Sequence, residues 1–173
     1  MGFFRSWLEH NQNQTPPAPA MMPLTATPVP AKTIHYDPGL IDSLLRDHAT
    51  LGADFQHIGE LSTAGNYEDL RGLLINFKSR LEAHVLTENV RFYTYLQQSL
   101  GDDAANAEMM HDFRKEMNTI ARAVVNFVKQ YQSCAFTMAD RKQFQIDYAG
   151  VGKVLEQRLD SEENQLYPLY QPY

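Results

Sequence analysis

From Asp37 onward, apolar residues recur at three- and four-residue intervals with polar residues between them, the pattern of helices that bury one face. In the first run, Ile41, Leu44, Leu45, His48, Leu51, Phe55 and Ile58 share a face, and the turn-forming residues Ser62 to Asn66 end it. His57 lies about half a revolution from His48 and is expected to face solvent. A second run, Tyr67 to about Leu100, carries Leu70, Leu74, Phe77, Leu81, His84, Glu88 and Tyr95 on its stripe. Gly101 to Asp103 punctuates the chain before a third run, about Ala104 to Ser133, with Met110, Met117, Ile120, Val124, Phe127 and Tyr131 buried and His111 on the shoulder. The fourth, about Ala139 to Leu166, is stopped by Pro168 and presents Phe144, Tyr148, Val151, Leu155, Arg158, Glu162 and Leu166, with Glu163 towards the edge. Long helices joined by short connections make antiparallel neighbours, so the pattern predicts an all-α, up-down-up-down four-helix bundle over residues 37–173.

The polar residues on those stripes change the picture. His84 and Glu88 are four apart, about 40° around a helix axis and one turn removed, a spacing that lets two side chains hold one metal ion. The surrounding segment LEAHVLTENVRFY, Leu81 to Tyr93, is echoed by LEQRLDSEENQLY, Leu155 to Tyr167. The overlay pairs Glu88 with Glu162 and Tyr93 with Tyr167, and it sets Arg158 against His84. Two helices related by an approximate twofold would each contribute to a shared centre.

Each helix thus places a metal-capable group on or beside its stripe: His48, then His84 and Glu88, then His111, then Glu162. A single buried His is ordinarily a hydrogen-bonded core residue, and His84 with Glu88 alone could be an intrahelical hydrogen bond. Convergence of four helices points instead to ligation. Imidazoles with carboxylates suit one or two non-haem iron ions, and also manganese or zinc. The methionines Met109, Met110 and Met117 read as core filler.

The motifs LLRDH ending at His48, HVLTE over His84 to Glu88, MMHDF around His111 and EENQLYP over Glu162 to Pro168 together resemble the hemerythrin-like HHE cation-binding domains, over about Ile41 to Pro168. The resemblance implies a four-helix bundle around a non-haem di-iron centre, with His48, His84, Glu88, His111 and Glu162 as metal ligands. It further implies a carrier or sensor of O₂, NO or peroxide rather than a turnover enzyme. Arg158 departs from the pattern, standing where the family has its fourth-helix His, and a guanidinium has only donors and stays protonated. Three outcomes follow: a single-metal site, a di-metal site completed by water, Tyr148 or Glu163, or a metal-free bundle in which Arg158 pairs with Glu88 and Glu162. The metal-free alternative has its own likeness, since LEQRLDSEE is similar to a fourth-helix segment of the regulator-of-sigma-D proteins, helical bundles that bind a protein partner.

Composition completes the reading. Seven of the nine prolines fall in the first 38 residues, and Asn11 to Lys32 lacks any periodicity, which predicts a disordered proline-rich arm over residues 1–36. Its Gly2 and Ser6 fit a myristoylation pattern, and Phe3, Phe4, Trp7 and Leu8 form an apolar patch suited to docking on a partner or on a membrane surface. With a net charge of −6 and only 15 Lys and Arg, the chain carries no footprint for nucleic acid. There is no run apolar enough for a transmembrane segment, no secretory h-region, and Cys134 is the lone cysteine, so a cytoplasmic location is expected.

Overall fold

The computed structural model describes residues 33–100 and 103–173. The helices are α1 (Leu40–Ala64), α2 (Tyr67–Thr87), α3 (Tyr93–Leu100), α4 (Ala104–Tyr131) and α5 (Met138–Ser161). A π-helical turn, Glu88–Phe92, joins α2 and α3 into one rod; a second, Glu162–Leu166, extends α5 and leads into a 3-10 turn over Tyr167–Leu169. The four rods close on one another: α1 packs on α2, α2 on α4, α4 on α5, and α5 back on α1. This is the expected four-helix bundle, and among the described residues there is no strand.

Local chemistry sets the helix ends. Gly65 adopts φ 75°, where a Cβ would be strained. Its N–H donates to Ser62 O and that of Asn66 to Leu61 O, a Schellman ending for α1. Asn66 then caps α2 by accepting from Asp69 N at 3.3 Å, and Asp103 caps α4 through Ala105 N at 2.8 Å. Thr137 and Asp140 form a reciprocal capping box at the start of α5.

The buried faces stack into three layers along the bundle. One end is aromatic and leucine-rich, with Leu40, Leu44, Phe92, Tyr95, Leu96, Leu166 and Tyr170. The other end holds Ile58, Leu70, Leu74, Phe77, Phe127, Tyr131 and Phe144. Between them lies a polar layer of His48, His84, Glu88, Arg158 and Glu162, all buried.

The compact unit spans Ile34–Tyr173. The last residues of the expected arm therefore pack on the bundle: Ile34 N donates to Gln98 Oε1 at 3.0 Å, and Tyr36 stacks on Tyr170 at 5.0 Å. Residues 1–32, including Gly2, Ser6 and the Phe3–Trp7 patch, lie outside the described residues. No described helix is long and apolar enough to cross a membrane.

Candidate metal centre

Four side chains from three rods meet in the polar layer. His48 of α1, His84 of α2, Glu88 at the first π turn and Glu162 at the second each offer a ligand atom, all within 4.8 Å of one another. His48 Nε2 is 3.2 Å from His84 Nε2 and 3.4 Å from Glu162 Oε2, and His84 Nε2 is 3.7 Å from Glu88 Oε2. Glu88 and Glu162 are fully buried, yet Glu88 Oε2 and Glu162 Oε2 have no hydrogen-bond partner. Buried carboxylate oxygens are costly to leave unmatched. A cation among these atoms would satisfy them, so the residues present fit a metal ion.

The outer nitrogens turn away from this point. His48 Nδ1 lies 2.8 Å from Glu163 Oε1, and His84 Nδ1 lies 3.7 Å from Asp47 Oδ2. The Glu163 carboxylate behind His48 fixes that ring and leaves its inner nitrogen as a lone-pair donor, the arrangement usual around metal-binding His, whereas His84 Nδ1 has no hydrogen-bond partner.

Residues 39–170 match the hemerythrin HHE cation binding domain. The chain belongs to the hemerythrin family. No curated protein and no solved structure matches it.

Two expected features of a hemerythrin site turn out differently. His111 is exposed and lies outside the cluster. Met110 and Met117, both buried, set the inward face of α4, and His111 is about 100° round from Met110. From α4 the site instead meets Phe113, whose ring centroid is 5.2 Å from Arg158 Cζ, and Glu116. Tyr148 does not approach the cluster; its hydroxyl donates to Phe55 O at 2.9 Å.

Arg158 points inward and is 3% exposed. Its Nε donates to Glu162 Oε1 at 2.6 Å, one terminal nitrogen to Tyr93 Oη at 2.6 Å, and the other to Glu116 Oε2 at 3.2 Å. The expected pairing with Glu162 is present; Glu88 is held instead by Tyr167, whose hydroxyl donates to Glu88 Oε1 at 3.0 Å and sits 3.0 Å from His48 Nε2. Tyr93 and Tyr167 are site residues that stripe-reading passed over. The internal echo carried the signal, because each follows its glutamate by five residues.

Burial and mutual charge set the protonation of this hemerythrin cluster. Desolvation, reinforced by the Glu162 charge, pushes Glu88 up to about 8. Glu162 goes the other way: burial would raise it, but the neighbouring His48, 3.4 Å away, and the Arg158 charge hold it below its ordinary value. Burial pulls His48 down, and Glu162 and Glu163 outweigh that and raise it. His84 is lowered by burial and by the neighbouring His48 charge. Without a metal ion, the proton that Glu88 keeps removes part of the negative charge that a cation would otherwise offset.

A cavity of about 270 Å³ adjoins the cluster. Leu51, Phe55, Phe77, Leu81, Met117 and Leu155 form most of its wall, together with His84, Arg158 and Glu162.

Proposed function

We propose that this hemerythrin binds non-haem iron through His48, His84, Glu88 and Glu162 and serves in the cytoplasm as a carrier or sensor of O₂, NO or peroxide, not as a turnover enzyme. The observation that carries the reading is the convergence of four ligand atoms within 4.8 Å, two of them buried carboxylate oxygens without hydrogen bonds. Iron in a His and carboxylate site supplies reversible redox change and an open position for a small ligand. The chain's own residues supply the rest. Glu163 orients the His48 imidazole, Tyr167 fixes Glu88, and the apolar cavity beside His84 suits a small uncharged molecule. Cys134, the lone thiol, stands in the connection between α4 and α5. We assign the stretch before Ile34 to contact with a protein partner; deletion of residues 1–30 with unchanged cellular behaviour and binding would overturn that assignment.

Elemental analysis of full-length protein purified without chelator, with an optical spectrum of the same sample, tests the site. Bound iron and a charge-transfer band that shifts on adding NO are expected, and both are lost in a His84→Ala, Glu88→Ala double variant. Manganese or zinc in place of iron would retain the site and overturn the redox role. No metal after anaerobic reconstitution with ferrous iron would overturn the reading altogether. The second reading, a metal-free bundle that binds a protein partner, would then stand, favoured by the internal pairing of Arg158 with Glu162.

A further inference from the structure

We propose that the Arg158 guanidinium occupies the place of a second cation, so that this chain holds a single metal ion beside a permanent organic one. The inference rests on the metal-binding reading above and adds to it the number of ions and the residue that limits it. The internal echo sets the two half-sites side by side. In one, His84 precedes Glu88 by four residues and turns a ring nitrogen to the cluster; in the other, Arg158 precedes Glu162 by four and turns its guanidinium to the same layer.

The oxygens on the Arg158 side are already engaged. Glu162 Oε1, Tyr93 Oη and Glu116 Oε2 gather around one guanidinium, each within 3.2 Å of one of its nitrogens. These are the donors a second ion would need, and a guanidinium can only donate to them. The α4 face offers no replacement beyond Glu116: Phe113 lies beneath the guanidinium, and His111 is exposed. Glu162 divides its two oxygens accordingly. Oε1 accepts from Arg158, while Oε2 is unbonded and faces His48.

Charge leads to the same conclusion. One divalent ion with Arg158 already outweighs the two buried carboxylates, Glu88 and Glu162. A second would add charge in a layer shielded from water, where like charges repel strongly. Two cations are thus accommodated, and one of them is covalently part of α5.

The test is the ion content of the full-length chain reconstituted anaerobically with ferrous iron and desalted, for the native protein, Arg158→His and Arg158→Lys. About one ion per chain is expected for the native protein and the Lys variant, rising to about two in the His variant, which regains a nitrogen ligand and loses the fixed charge. About two ions in the native protein would overturn the inference and leave the metal-binding reading standing. The same holds if a folded Arg158→His chain, judged by circular dichroism, stays at about one. No ion in the native protein would overturn the metal-binding reading, and the inference with it. Should the His variant fail to fold, the native ion count and its persistence in Arg158→Lys decide the matter.

Discussion

Glu88 is the residue whose chemistry depends most on its surroundings. Its carboxyl is fully buried, has Glu162 as a neighbouring charge, and stays protonated up to about pH 8 against an ordinary value of 4.5. Between those values the native metal-free protein keeps a proton that the unfolded chain has released. The native state then binds more protons, so rising pH favours unfolding across that window. The metal-free protein is expected to lose stability from about pH 4.5 to about pH 8 on account of Glu88, and Glu88→Gln to flatten the profile there. His48, which is raised, acts in the same direction above 6.5, so the difference between native and variant curves isolates Glu88. Urea unfolding at several pH values in the presence of chelator reads it directly; parallel profiles would show that Glu88 is already ionised at neutral pH. Metal binding should accordingly release protons, and so tighten as pH rises through neutrality.

At the scale of the element, the two π turns carry the site. In a straight α-helix, residues five apart stand about 140° apart around the axis, so Glu88 and Tyr93 could not both face the cluster. The wider turn closes that gap: Tyr93 N donates to Glu88 O, and Tyr167 N to Glu162 O, in matching positions of the internal echo. Such turns are frequent at functional sites. Deleting Val90, which is 52% exposed, would let α2 run into α3 as continuous α-helix. The expected product is a folded bundle, as stable as the native metal-free protein or more so, with weakened metal binding. Thermal unfolding and a metal titration separate those effects, and a variant that fails to fold would make the turn a structural requirement. Neighbouring α1 and α5 are locked by a reciprocal arrangement: a Cβ on Gly59 would meet Tyr148 at 2.5 Å, and one on Gly152 would meet Phe55 at 2.8 Å. Those two rings stack at 4.4 Å, which holds His48 against the α5 side of the cluster.

For the molecule as a whole, the C-terminal segment returns over the aromatic end of the bundle, next to the site layer. Tyr170 packs against Tyr36, Phe92 and Tyr95. Its hydroxyl accepts from Asp37 N at 3.0 Å, while Tyr95 donates to Gln171 O at 2.6 Å. Tyr170→Ala should cost about 3–5 kcal/mol in urea unfolding, the usual loss for a buried aromatic. Because Tyr167 lies in the same segment and holds Glu88, the variant should also surrender metal to chelator faster than the native protein. A stability loss below about 1 kcal/mol would show that the segment is an accessory to the bundle. Metal removal gives the second global prediction: a ligand bound only by the folded state stabilises it, by roughly 2.7 kcal/mol at a hundredfold excess over its dissociation constant. Chelation should therefore lower the melting temperature of the native protein and leave that of a His84→Ala, Glu88→Ala variant unchanged.

The sequence by itself determined the bundle, because helical periodicity is local: the stripes through Leu44, His48 and Ile58, and through Leu70, Leu81 and Glu88, are fixed by 100° per residue and by the caps that bound them. It also marked His48, His84, Glu88 and Glu162 as buried ionisable positions, since they lie on those stripes. The failure at His111 is a matter of angle, for a shoulder residue is assigned to core or solvent only when the neighbouring rods are in place. Tertiary structure alone decided which atoms of the ligands meet, that Tyr93 and Tyr167 cross to opposite halves of the cluster, and that Arg158 turns inward to gather three oxygens. Those outcomes depend on rods brought together from distant parts of the chain and on turns that depart from α geometry, and neither is encoded in the spacing of residues along one helix.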